Sequence, residues 1–114
     1  MNLYSAVFYT DNLEEVVSFY RDVLGFEVDY IQDGRFASFL LGSGKLGIKY
    51  KKEEREVPGH QTVFIEVDDI KDLYGRIQEK KVTMGKELVE QDWATNFSIL
   101  DPDGNKVQFL ERNN

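Results

Sequence analysis

The chain repeats itself. Displaced by half of its 114 residues, Val7-Phe8-Tyr9-Thr10-Asp11-Asn12-Leu13 falls on Phe64-Ile65-Glu66-Val67-Asp68-Asp69-Ile70. The apolar residues that follow coincide as well. Leu13, Val16, Val17 and Tyr20 land on Ile70, Leu73, Tyr74 and Ile77. Both sets run i, i+3, i+4, i+7, one face of an amphipathic helix. A chain built of two like modules must bury two like sheets, and this constrains the fold more than any single motif.

The punctuation repeats too. Asn12 with Glu15 and Asp69 with Asp72 pair an N-cap acceptor with an acid three residues on. The first helix is predicted to stop at Gly25, the second near Lys81. Strand-like runs follow each helix. Phe26–Ile31 leads into Asp33-Gly34, a tight-hairpin signal. Phe36–Leu41, the turn Gly42-Ser43-Gly44 and Leu46–Tyr50 complete the first module. Gly42-Ser43-Gly44-Lys45 has neither the spacing nor the following helix of a phosphate loop, so it reads as a β-turn. In the second module the strands are Thr83–Val89, Asn96–Leu100 and Lys106–Glu111. Asp101-Pro102-Asp103-Gly104 is a type I turn. Lys45-Leu46-Gly47-Ile48 aligns with Lys106-Val107-Gln108-Phe109. Each module therefore reads β-α-β-β-β.

Composition sets outer limits. One domain, 1–114, is expected from the length, with module one at 1–50, a linker at 51–59 and module two at 60–112. The linker, Lys51 to Gly59, is charged and reads as solvated. With 14 Lys and Arg against 21 Asp and Glu, the net charge is −7, which opposes nucleic-acid binding. The chain has no Cys, which removes disulfides and thiolate sites. No apolar run reaches the ~18 residues of a membrane span. The opening MNLYSAVFYTDNLEE lacks a basic, then apolar, leader pattern, so a cytoplasmic chain is expected.

Several motifs are specific. Asp11-Asn12-Leu13, then Ser18-Phe19-Tyr20-Arg21-Asp22-Val23-Leu24-Gly25-Phe26, resembles the helix signature of the vicinal oxygen chelate superfamily. Val67-Asp68-Asp69-Ile70 is similar to the start of that family's second module. Trp93 with Asp101-Pro102-Asp103-Gly104-Asn105-Lys106-Val107 resembles its C-terminal pattern. The family includes glyoxalase I, extradiol dioxygenases, fosfomycin-resistance proteins and bleomycin-binding proteins. The resemblance implies an α+β fold of two βαβββ modules, a curved mixed sheet around a cleft, and helices on the convex side. It also implies a homodimer in many members.

Enzymes of the family hold a divalent metal with His, Glu or Gln side chains from the first and last strands of each module. Carried over by position, the resemblance places those ligands at Ser5, Gly47, Thr62 and Gln108. Only Gln108 offers a suitable, weak oxygen donor, and one donor does not hold a metal. The single histidine, His60, follows Pro58-Gly59 and belongs at the strand entrance. No Ser-His-Asp arrangement is supported by the spacing of His60 from Ser5, Ser38 or Ser98.

Strand alternation sorts the faces. Ala6, Phe8, Ala37, Phe39, Val63, Ile65, Val67, Phe97 and Ile99 should face the helices. Ser5, Val7, Tyr9, Phe36, Ser38, Leu40, Gly47 and Lys49 should line the cleft from module one. Thr62, Phe64, Glu66, Asn96, Ser98, Leu100, Gln108 and Leu110 should line it from module two. Trp93 either caps the core or closes over a ligand. Glu66 either acts as an acid-base group, a role also open to Tyr9, or pairs with Lys49 across the groove.

The expected function is a metal-free, cofactor-free small-molecule binding protein. Its ligand would be neutral or cationic and partly aromatic, since negative charge speeds encounter with cations. The alternative is a metal-dependent lyase, isomerase or dioxygenase with an atypical ligand set around His60, Glu66 and Gln108. A metal-free enzyme using Glu66 or Tyr9 is a third reading.

Overall fold

A computed structural model describes residues 1–113. They form two compact units, Met1–His60 and a second beginning at Gln61. The first contains β1 (Ser5–Thr10), α1 (Leu13–Ser18), β2 (Glu27–Gln32), β3 (Phe36–Leu41) and β4 (Gly44–Tyr50). The second contains β5 (Thr62–Glu66), α2 (Ile70–Glu79), β6 (Met84–Glu90), β7 (Ala94–Leu100) and β8 (Lys106–Arg112). The repeat is therefore a repeat of topology. One sheet has the order β1-β4-β3-β2, the other β5-β8-β7-β6. In each, the strand before the helix pairs in parallel with the last strand, and the remaining pairs are antiparallel.

In the first unit the helical periodicity does what it predicts. Leu13, Val16, Val17 and Tyr20 are all buried, with Phe8, Ala37, Phe39, Leu46 and Ile48. Each large side chain so removed from water contributes ~1.5–3 kcal/mol. The helix does not simply stop at Gly25. It widens into a π-helical turn over Phe19–Val23, and the Leu24 N–H bonds the Phe19 carbonyl at 3.0 Å. Gly25 then takes φ +74°, and the Phe26 N–H reaches back to the Tyr20 carbonyl at 2.9 Å. The Tyr20 ring is seated 5.6 Å from Phe26 and 6.0 Å from Phe39.

The second unit repeats this with a smaller interior. Ile70 and Ile77 are buried, while Leu73 and Tyr74 are half-buried. Tyr74 meets Phe97 edge-on at 5.0 Å, and Phe97 lies 5.2 Å from Phe109. Val63, Ile65 and Val67 take the expected face but are only half-buried.

The two caps differ. Asp69 Oδ1 accepts the Asp72 N–H at 3.3 Å, as predicted. Asn12 makes no side-chain bond to the helix backbone, contrary to its capping pattern. Its amide donates instead to the Glu15 carboxylate, and its own N–H is held by Thr10 Oγ1 at 3.0 Å.

The Asp101–Asn105 turn is a staple. Asp101 Oδ1 accepts the N–H groups of Asp103 and Asn105, at 2.9 and 2.8 Å. The Asn105 amide donates to Asp101 Oδ2 at 3.0 Å, and its Oδ1 accepts the Gln61 N–H at 3.1 Å. The turn between β7 and β8 thereby fixes the entry to β5.

The 51–59 segment is not uniformly solvated. Lys51 to Arg55 are exposed, but Glu56 is buried. Its carboxylate folds back on β4, which a charge count along the sequence does not reveal.

Candidate functional site

Pairing register places the first unit's predicted cleft residues on one face of its sheet, opposite α1. Val7, Gly47, Ser38 and Tyr30 form one row across the four strands. Tyr9, Lys49, Phe36 and Gln32 form the next. Ser5, Lys45 and Leu40 form a third. Tyr30 is not legible from alternation alone, because β2 carries a register shift between Val28 and Tyr30. A bulge of this kind re-aims the side chains that follow it.

Two rings build the floor of the site. Phe36 and Tyr30 lie 6.0 Å apart with their planes 32° from parallel. The Phe36 ring also lies over Gly47. A Cβ at position 47 would stand 2.5 Å from Phe36 Cζ and 3.3 Å from Val7 Cγ2. Glycine at this point is what lets the ring approach the strand this closely.

Charged pairs border the rings. Lys49 Nζ meets the Glu56 carboxylate at 2.5 Å and lies 5.8 Å from the Tyr9 ring centroid. Glu56 Oε1 also accepts the N–H groups of Lys52 and Glu53, at 2.8 and 3.2 Å. The Lys49 bond, helped by these amides and opposed by desolvation, holds the Glu56 carboxyl at about 2. Farther along, Lys45 Nζ contacts Asp29 at 3.0 Å, and the Ser38 hydroxyl donates to the same carboxylate at 3.1 Å. The Lys45 bond holds Asp29 below the ordinary aspartate range, and Asp29 in turn raises Lys45.

A cavity of about 620 Å³ opens beside Phe36, between the β2–β3 turn and the end of β4. Tyr30, Phe36 and Tyr50 give it its aromatic surface. The backbone holds its two sides together: the Tyr50 N–H bonds the Arg35 carbonyl at 2.8 Å, and the Arg35 N–H bonds Gln32 at 3.0 Å. Tyr30, Arg35, Tyr50, Lys51 and Lys52 line this cavity yet lie outside the sequence-predicted set.

The second unit presents different chemistry. Phe64, Gln108 and Ser98 are register neighbours, as are Glu66, Leu110 and Asn96. Thr62, Phe64 and Glu66 are exposed, but Asn96 and Ser98 are closed off from water. The Gln108 amide donates to Asn96 Oδ1 at 3.2 Å, and the Asn96 amide donates to Gln91 Oε1 at 2.8 Å. The buried Ser98 hydroxyl has no hydrogen-bond partner among the described residues. Leu100 is half-buried at the end of the strand.

Glu66 and Lys49, for which a mutual pair is one of the two readings above, each have an opposite charge within their own unit. Glu66 takes Arg112 from the neighbouring strand β8, at 2.6 Å, and Lys49 takes Glu56. Trp93 does not cap the core; it is 50% exposed on the loop before β7. His60 is exposed, with φ +63°, in the turn ahead of β5.

The four positions at which the resemblance puts metal ligands do not fit a metal. Gly47 has no side chain, and Phe36 covers it. The Ser5 hydroxyl turns onto the Ala6 carbonyl at 3.2 Å. The Gln108 amide nitrogen donates to Asn96 Oδ1, which leaves its oxygen as the one suitable donor of the set, and one donor does not hold a metal. Among the described residues of either unit, no group of three or more His, Asp or Glu side chains is arranged to hold an ion. No described helix is long and apolar enough to cross a membrane.

Comparison with known proteins agrees with this architecture. The sequence profile of the Glyoxalase/Bleomycin resistance protein/Dioxygenase superfamily matches residues 3–109. No curated protein sequence matches the chain. Among solved structures, TnmS3, an antibiotic binding protein from Streptomyces sp. CB03234, superposes with a TM-score of 0.89 at 19% identity. The match covers 99% of this chain and 97% of that one. Lactoylglutathione lyase from Agrobacterium tumefaciens gives 0.80 at 21% identity, over 96% and 92%. TioX from Micromonospora sp. ML1 gives 0.84 at 18% identity, over 99% and 100%. Identities this low carry the fold and no more.

Proposed function

The chain belongs to the Glyoxalase/Bleomycin resistance protein/Dioxygenase superfamily, and from that premise we propose that it binds and sequesters a small, partly aromatic molecule without a metal cofactor. One observation carries the reading. The first unit has an aromatic-floored cavity of about 620 Å³, and the ring that builds it, Phe36, lies over Gly47 where a metal-dependent relative would project a ligand. The size falls within the ~300–1,000 Å³ of small-molecule sites, and the lining is of the kind they use: rings for area, a few polar groups for orientation. The antibiotic-binding description of TnmS3, a protein of the same fold, supports a binding role.

Catalysis by this unit would need a nucleophile beside a base, or a converging donor set. The carboxylates beside its rings, Glu56 and Asp29, are instead held by Lys49 and Lys45. Such pairs position a floor; they do not leave a group poised to move a proton.

The test is a titration of the purified chain with one- to three-ring aromatic compounds, followed residue by residue by NMR. Saturable shifts centred on Tyr30, Phe36 and Tyr50 are expected. Failure of every compound to perturb these residues overturns the reading. Stoichiometric metal in protein purified without chelators would favour the metal-dependent alternative instead.

A further inference from the structure

We propose that the cavity of the first unit selects a flat aromatic anion, an aryl carboxylate, sulfonate or phenolate of about two fused rings. This rests on the binding reading above and adds the charge and shape of the occupant.

Shape comes from the rings. Tyr30 and Phe36 are tilted only 32° from parallel, and Tyr50, 46% exposed, stands at the same cavity. Rings so disposed offer faces to a planar guest, which extends the stack by offset packing.

Charge comes from the rim. Arg35, Lys51 and Lys52 are exposed and line the cavity. None of the three has an ion-pair partner among the described residues. Lys49, at the same cavity, is already matched by Glu56. Among the described residues, no Asp or Glu side chain lines the cavity. Three cations with no ion-pair partner around one opening favour an anion at contact, in a chain of net charge −7. The positions are held by backbone bonds, Tyr50 N–H to Arg35 and Lys51 N–H to Thr10, both at 2.8 Å. A guanidinium beside rings also stacks while it pairs with an anion, which an ammonium does not.

The two charge scales act at different distances. Net charge shapes diffusional encounter, and salt screens it beyond about 8–10 Å. The rim acts at contact, where a neighbouring charge is felt most strongly. The sign proposed for the ligand therefore comes from the rim and not, as in the sequence reading, from the net charge.

The experiment titrates the full chain with 2-naphthoate, 2-naphthamide and 2-naphthylmethylammonium, near-isosteres of charge −1, 0 and +1. Naphthoate should bind about fivefold or more tightly than the amide at low salt, and the amine most weakly. Added salt should narrow that margin. The double variant Lys51→Ala/Lys52→Ala should weaken naphthoate by about fivefold and leave the amide unchanged. Phe36→Leu should weaken all three together. Equal binding of acid and amide, or a preference for the amine, overturns the anion inference and leaves the binding reading standing. Binding unaffected by Phe36→Leu overturns the inference for this cavity. Binding of none of the three overturns both.

Discussion

The Glu56 carboxylate meets the Lys49 ammonium at 2.5 Å, and this pair fastens the segment after β4 onto the end of that strand. Glu56 is buried, and it also takes the backbone N–H groups of Lys52 and Glu53. The four bonded groups make one unit, so the placement of the Lys51–Lys52 rim depends on a residue several positions away.

Acid should loosen this clip. The Glu56 carboxyl titrates at about 2 in the fold, against an ordinary glutamate value of 4.5. Its contribution is therefore complete above 4.5, and is lost as pH falls from there through about 2. Asp29, lowered by Lys45, acts in the same direction. Thermal unfolding followed from pH 7 down to pH 2 should show Tm declining across this window. The Glu56→Gln variant should start lower at pH 7 and lose less on acidification. An unchanged acid profile in Glu56→Gln would sink the idea.

Gly47→Ala tests the seat of the Phe36 ring. The new methyl would meet Phe36 Cζ at 2.5 Å, so the ring must swing off the strand. The expected cost is ~1–2 kcal/mol, within the usual range for overfilling a packed site. In a Phe36→Leu background most of that cost should vanish, because the clashing atom is gone. Urea unfolding of the four members of the cycle measures the coupling; additive changes would show the contact to be unimportant.

The two helix caps should respond differently to alanine. Asp69→Ala removes a side chain that accepts the Asp72 N–H, and should cost ~1 kcal/mol. Asn12→Ala removes no backbone cap and should cost only a few tenths. Chemical denaturation of both variants decides. A larger loss for Asn12→Ala than for Asp69→Ala contradicts the assignment.

Asn105→Ala should be the more damaging change in the second unit. It strips a partner from Asp101 Oδ2 and from the Gln61 N–H at once, in a buried turn. Leaving the part-buried Gln61 N–H without its acceptor costs ~1–3 kcal/mol, and the lost bond to Asp101 adds to it. A total near 2 kcal/mol is expected, with hydrogen exchange of the β5 amides rising first. Protection of β5 unchanged from wild type would argue that the staple does not hold that strand.

What the sequence determined by itself was periodic and local. Two βαβββ units follow from the displaced repeat of Val7–Leu13 on Phe64–Ile70, and the buried helix faces follow from the spacing of Leu13, Val16, Val17 and Tyr20. The alternation of Ser5, Val7 and Tyr9 against Ala6 and Phe8 follows from the two-residue period of a strand. These features depend on neighbours in the chain, so the chain displays them.

Tertiary structure decided the partners. Glu66 pairs with Arg112 on the adjacent strand and Lys49 with Glu56 in the segment that follows it, partners that strand alternation does not name. Glu111, at the far end of β8, accepts the Ile70 N–H at 3.0 Å and completes the start of α2. The register shift before Tyr30 brought that ring beside Phe36, where strict alternation assigns it no place. Gly47 is a missing metal ligand in the sequence and a seat for an aromatic ring in the fold. Only the packing of β3 on β4 brings the two readings together, because the ring and the glycine it needs sit on different strands.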